Sequence, residues 1–244
     1  MVKIKLVGIA GSISEQSYNR ELLYYIQHSF KDLFDFEVLD IKDLPLFNQD
    51  HLEVLESFEF QEIQKKIEAA DGVVIATPEH NRTVPAPLKS LLEWLSFKIH
   101  PLKAKPVKIM GASYLDQGTS SAQMHLRQIL ESPGIDALVL PGQEFLLGNC
   151  QSAFDKDGNI IDQKTAQYLR KSMEVFVTYV FTLKPLSQSV SLNHEFHMEE
   201  IWASQLLQVL DRTSDDPTRV YSQLQAIRPI VEWYQSHSVD NQQL

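Results

Sequence analysis

The segment that most constrains the fold is "DGVVIAT", Asp71–Thr77, an unbroken apolar run closed by Pro78. A strand with apolar residues at successive positions is buried on both faces, so it needs cover on both sides. Four other segments read as strands: "KIKLVGIA" (Lys3–Ala10), "FEVLDI" (Phe36–Ile41), "PVKIMGA" (Pro106–Ala112) and "IDALVL" (Ile135–Leu140). Helical spacing fills the intervals, through Tyr18, Leu22, Ile26 and Phe30, then Phe60, Ile63 and Ile67, then Leu88, Leu91, Leu92 and Leu95. Met124, Ile129 and Leu130 continue the series, and Tyr168, Leu169, Met173, Phe176 and Val177 mark a last helix.

Strand and helix therefore alternate, which predicts a doubly wound α/β fold. A common order for five parallel strands is the flavodoxin-like 2-1-3-4-5, whose ligand crevice lies at the carboxyl ends of strands 1 and 3. After Lys184-Pro185 the pattern changes. A polar connector, "LSQSVSLN", leads into "HEFHMEEIWASQLLQVL", with Met198, Ile201, Trp202, Val209 and Leu210 on one helical face. Asp216-Pro217 is a second helix start, Val220, Leu224 and Ile227 continue it, and Pro229 ends or kinks it. The expected organisation is an α/β domain over residues 1–184 and a C-terminal helical hairpin over 185–244.

Composition narrows the partners. A net charge of −10 over 244 residues argues against a nucleic-acid or acidic-membrane surface. One cysteine, Cys150, excludes an internal disulfide and a thiolate metal cluster. The N-terminal apolar run is too short for a signal peptide, and no window approaches a spanning helix. These features predict a cytoplasmic protein with no membrane partner.

Three loops follow neighbouring strands of the expected order. "GSISEQSYN", Gly11–Asn19, sets Ser12, Ser14, Ser17 and Asn19 at a helix start, where hydroxyls, free N–H groups and the positive helix end suit a phosphate monoester. One serine would satisfy an ordinary N-cap, so the cluster exceeds what capping requires. No G-x-x-x-x-G-K-[ST] occurs, nor a G-x-G-x-x-G after the first strand, which disfavours triphosphate and dinucleotide loops. The second loop, "TPEHNRTVPAPLK", is stiffened by Pro78 and Pro85 and can present backbone groups to a planar heterocycle; a rigid crossover with solvated Glu79 and Arg82 is the alternative. The third, "GASYLDQGTSSAQ", is small and polar around Gly118-Thr119. Together they point to one ligand with a phosphate and a flat ring, a description that FMN fits.

These residues carry a resemblance to the NADPH-dependent FMN reductase family, flavodoxin-like enzymes that include quinone, azo-dye and chromate reductases. The family's G-S-x-R-x-x-S-x-N is similar to "GSISEQSYN", and its P-E-Y-N-x-S-x-P-x-x-L-K-x-x-x-D-W to "PEHNRTVPAPLKSLLEW". "LPLFNQD" (Leu44–Asp50) and "HLRQIL" (His125–Leu130) also resemble it, so the likeness covers roughly residues 1–183. The resemblance implies that Ser12, Ser17 and Asn19 hold the FMN phosphate. It implies that Pro78, Glu79, His80, Asn81 and Thr83 border the ring, with Ser113, Gly118 and Thr119 on its other side. Ser14 stands at the family's arginine position and His80 at its tyrosine. The implied donor is NADPH or NADH, the acceptor a small molecule, and the assembly a homodimer or homotetramer.

Because the flavin performs the hydride chemistry, no general acid, base or nucleophile is expected among the side chains. "GASYL" lacks the second glycine of a serine-hydrolase elbow. His194 and His197 read as a solvated helical turn rather than a metal site, and Trp202, Trp233 and Tyr234 as packing anchors. An FMN-binding electron-transfer protein without efficient NAD(P)H oxidation is the alternative function.

Overall fold

The computed structural model describes residues 3–192. Along the chain run β1 (Lys5–Ala10), α1 (Tyr18–Ser29), β2 (Asp35–Leu39), α2 (Phe58–Ala69), β3 (Gly72–Ala76) and α3 (Ala86–Phe97). Then follow β4 (Pro106–Ala112), α4 (Ser120–Leu130), β5 (Leu138–Val139), β6 (Phe145–Leu147) and α5 (Gln163–Leu192). Every strand pairs in parallel, in the order β2-β1-β3-β4-β5, with β6 also on β4. This is the flavodoxin-like winding expected as a common order for five parallel strands.

The apolar run of β3 explains the layering. Successive side chains of a strand point to opposite faces. Val73 and Ile75 join a core built from Phe60, Ile63 and Ile67 of α2, Leu88, Leu91, Leu92 and Leu95 of α3, and Leu126 and Leu130 of α4. Val74 and Ala76 join the opposite core, with Leu22, Leu23 and Ile26 of α1 and Leu169, Met173, Phe176 and Val180 of α5. The helices start where local chemistry allows. Ser17 and Ser57 accept from the N–H of Arg20 and Phe60 as N-caps of α1 and α2, and Pro85 precedes α3.

The last strand differs from expectation. Of Ile135–Leu140 only Leu138–Val139 is strand, paired with Pro106 and Val107. The upper half of β4 pairs instead with Phe145–Leu147, a segment whose short apolar run gives little periodicity to read. Pro141 has no N–H to donate and Gly142 takes φ +63°, so the ladder breaks between the two pieces. Side chains satisfy the carbonyls left at the break. Arg127 donates to Leu140 O (2.9 Å), Lys108 to Gln143 O (2.8 Å), Tyr168 to Glu144 O (3.1 Å) and Gln123 to Phe145 O (3.0 Å).

Met124 is a second departure: it is 64% exposed, and α4 buries Ala122, Gln123, Leu126 and Leu130 instead. The expected polar connector after Pro185 is helical as far as Leu192, so the expected boundary at 184/185 falls inside α5. The chain divides into compact units at Met1–Leu192 and Asn193–Leu244. The expected C-terminal hairpin, with His194, His197, Trp202, Trp233 and Tyr234, lies outside the described residues. Among the described residues no helix is long and apolar enough to cross a membrane.

Lys108 is fully buried in β4, with its Nζ also 2.6 Å from Ser172 Oγ of α5 and no carboxylate among its hydrogen-bond partners. Burial pushes its pKa down to about 7 from an ordinary 10.5. Below about pH 7 the folded protein holds a buried ammonium, which is unfavourable. Between about 7 and 10.5 the unfolded chain binds more protons than the folded one, so stability is gained as pH rises through this window. Chemical denaturation at pH 6.5 and pH 9 should show wild type gaining stability relative to Lys108→Met, by on the order of 1 kcal/mol or more. A parallel response of the two proteins would contradict a buried, titrating Lys108.

Candidate functional site

The three loops of interest leave the carboxyl ends of β1, β3 and β4, which are adjacent in the sheet. They are tied to one another at the backbone. Gly11 N–H donates to Ala76 O (2.8 Å), and Thr77 N–H to Met110 O (2.9 Å). A Cβ at Gly111 would stand 2.0 Å from Thr119 Oγ1 and 2.4 Å from Thr77 O, so only glycine lets the second and third loops approach this closely.

In the first loop the expected cluster separates into different jobs. Ser17 is the N-cap, with Oγ 3.3 Å from Arg20 N. Ser12 Oγ accepts from Ser14 N–H (3.2 Å), and Ser14 itself is exposed. Asn19, expected as a phosphate ligand, is turned inward and 3% exposed. Its Nδ2 donates to Ala112 O (3.0 Å) and its Oδ1 accepts from Ala112 N–H (2.9 Å). Its amide therefore holds the head of α1 to the end of β4. Arg20, which the sequence reading did not select, donates to the carbonyls of Ser12 (3.1 Å), Ser14 (2.8 Å) and Glu15 (3.4 Å). The available signal was its place in the first turn of a helix, where the macrodipole disfavours a cation.

The N–H groups of this loop are the open feature. Among the described residues, those of Ser12, Ile13, Glu15, Gln16 and Ser17 donate to no protein acceptor. Together with the first N–H groups of α1 they form a concentrated donor surface at a positive helix end, which fits a phosphate dianion.

The second loop is a tight hairpin. His80 N–H donates to Thr83 O (2.9 Å) and Thr83 N–H to His80 O (3.0 Å), while Asn81 and Arg82 between them take φ of 51° and 65°. Both signs match a I′ turn, which asparagine tolerates and arginine adopts at a cost of about 1–2 kcal/mol. His80, Asn81 and Arg82 are exposed. Glu79 Oε2 accepts from Ala122 N–H (3.1 Å), so this carboxylate caps α4 at its positive end and is not merely solvated. Thr83 hydrogen-bonds through Oγ1 to His125 Nδ1 of α4. Pro78 and Thr83 are half-buried.

In the third loop, Ser113 N–H donates to Leu147 O (2.9 Å) and its Oγ accepts from Leu115 N–H (3.2 Å). Thr119, expected beside the ring, is fully buried and accepts from Gln123 Nε2 (3.0 Å). Gly118 is buried with φ +64°, where a Cβ would meet Leu146 at 2.8 Å. These two residues shape the loop from beneath. The exposed surface is instead Tyr114 and Leu115, at 60% and 62%. Tyr114 packs edge-on to Tyr18, which stacks on Phe154. Burial pushes the nearby Cys150 thiol up to about 11, so it is protonated at neutral pH and unsuited to nucleophilic chemistry. No cluster of metal-ligating side chains occurs among the described residues.

A flavodoxin-like sheet with a loop of unpartnered N–H groups after β1, flanked by a tight hairpin and an aromatic loop, has the architecture in which flavodoxin-type α/β proteins hold a flavin at the switch point. The profile of the family described as NADPH-dependent FMN reductase matches residues 4–152, more than half of the chain, and the chain belongs to that family. It is 43% identical over 173 residues to the NADH:(hydroxy)cinnamate reductase subunit CrdA of Vibrio ruber, covering 71% of this chain and 85% of that protein. It is 38% identical to the NADH-dependent flavin reductase subunit 2 of Lactobacillus johnsonii (72% and 97% covered). The quinone reductase of Escherichia coli is 34% identical (75% and 98%). Among solved structures, the flavoenzyme NAD(P)H:(acceptor) oxidoreductase FerB of Paracoccus denitrificans superposes with a TM-score of 0.65 at 26% identity, covering 72% and 97%. The oxidoreductase reading, with FMN as cofactor and a nicotinamide donor, is thereby borne out.

Asn19→Ala should remove two buried hydrogen bonds and leave the Ala112 backbone unsatisfied. The expected cost is about 2–4 kcal/mol, read as a lowered denaturation midpoint. A loss under about 0.5 kcal/mol would show that the clamp is not needed.

Proposed function

We propose that this chain binds FMN across the three loops and oxidises a reduced nicotinamide, with NADH preferred, to reduce a small flavin, quinone or related acceptor. The observation that carries this reading is the row of unpartnered N–H groups from Ser12 to Ser17 at the head of α1. In this reading those groups, with the hydroxyls of Ser12, Ser14 and Ser17, receive the phosphate. Pro78, His80, Asn81 and Thr83 border one side of the ring, and Ser113 with Tyr114 and Leu115 the other. Glu79, Asn19, Gly118 and Thr119 hold those walls in place. The bound flavin supplies hydride acceptance and electron donation, so the side chains bind, orient and exclude water.

Two observations favour NADH. Ser14 replaces the family's arginine, and Arg20 is already engaged by loop carbonyls, leaving the first loop no free guanidinium for a 2′-phosphate. The relatives at 43% and 38% identity are both named as NADH-dependent. Exposed Met124 on α4, next to the Thr83–His125 contact, supports a homo-oligomer that covers this surface, and light scattering should give a dimer or tetramer. We place the protein in the cytoplasm, in keeping with its single buried cysteine.

The purified protein, reconstituted with FMN, should show a bound-flavin spectrum and oxidise NADH with a quinone or free flavin as acceptor. Its kcat/KM for NADH should exceed that for NADPH by about tenfold or more. Failure to retain FMN would overturn the reading, and a preference for NADPH would overturn the assignment of Ser14.

A further inference from the structure

Arg20 is placed against the ordinary electrostatics of a helix. With Ser17 as N-cap it occupies the third position of α1, at the positive end of the macrodipole. Its guanidinium instead gathers three carbonyls of the preceding loop: Nη1 meets Ser14 O at 2.8 Å and Glu15 O at 3.4 Å, and Nη2 meets Ser12 O at 3.1 Å. The peptides are all trans, so each C=O is opposed to the N–H of the next residue. Drawing these carbonyls onto one cation therefore turns the N–H groups of Ile13, Glu15 and Gln16 away from it. None of those N–H groups has an acceptor within the described protein. Carbonyls collected on one side and bare donors on the other are the two halves of an anion cradle.

We propose that Arg20 is a positioning residue for the FMN phosphate: it holds the carbonyls of Ser12, Ser14 and Glu15 back, so that the loop presents its N–H groups and a fixed positive charge to the dianion. The proposal rests on the FMN reading above. The side-chain partners of Arg20 all lie in the first loop and none in the two loops that border the ring in that reading, so its effect belongs to the phosphate. Riboflavin, which has the same ring and no phosphate, separates that role from a general structural one.

The test is titration of apoprotein with FMN and with riboflavin, read by quenching of flavin fluorescence, for wild type, Arg20→Met and Arg20→Lys. In Arg20→Met the Kd for FMN should rise about tenfold or more, while that for riboflavin changes less than about twofold. Arg20→Lys should fall between wild type and Arg20→Met, because one ammonium replaces a fork of donors. Equal weakening of FMN and riboflavin would overturn the proposal, as would unchanged FMN affinity. If Arg20→Met does not fold, Arg20→Lys decides by the same comparison: selective loss of FMN supports the role, and equal or no loss overturns it. A wild type that binds neither flavin overturns the FMN reading and this proposal together. A wild type that binds FMN, with no phosphate-selective loss in the variants, overturns the role of Arg20 alone.

Discussion

The paired hydrogen bonds between the Asn19 amide and the backbone of Ala112 hold the head of α1 against the end of β4, and the switch point depends on that junction. A loop between a strand and a helix is free to move unless both its ends are fixed. Here one end is fixed by the parallel ladder of β1 and the other by a buried side chain that reaches a strand two places away in the sheet. With Asn19 so placed, Ser17 caps the helix and Arg20 projects back under the serine loop. The bare N–H groups follow from this arrangement.

The same economy governs the other two loops. Gly111 lacks a Cβ so that Thr77 and Thr119 can meet above it, and Glu79 spans from one loop to the first turn of α4. Residues that look like ligands in a list of polar side chains are in several cases the struts between loops. The exposed surface of the three loops is left to backbone groups, to an exposed turn and to Tyr114 and Leu115. A cofactor that carries its own chemistry needs this kind of site, rigid and mostly inert, more than it needs reactive side chains.

The interrupted fifth strand shows a similar substitution of side chains for ladder bonds. Pro141 and Gly142 end the pairing of β5, and Arg127, Lys108, Tyr168 and Gln123 supply donors to the carbonyls of Leu140, Gln143, Glu144 and Phe145 on either side of the gap. Lys108 does so at the cost of a buried amine. Its ionisation is thereby coupled to folding, in the strand that leads directly into the third loop.

What the chain order determined by itself was the architecture. Apolar runs at period 2 and period 3.6, punctuated by Ser17, Ser57 and Pro85, leave few ways to cover β3 on both faces, so the doubly wound fold and the three loops were legible, while the 2-1-3-4-5 order came from how commonly five parallel strands take it and not from spacing. Local chemistry also revealed the serine-rich helix start and the proline-stiffened hairpin. The direction in which each polar side chain points was decided only by tertiary structure. Asn19 turns inward because a partner distant in sequence, Ala112, satisfies it there, and Thr119 because Gln123, one helical turn on, is itself held inside by the Phe145 carbonyl; a buried polar group goes where its hydrogen bonds are. The broken fifth strand was hidden for the same reason, since Phe145–Leu147 meets Met110–Ala112 only after the sheet has formed, whereas the grip of Arg20 is local but its direction is not written in helical spacing.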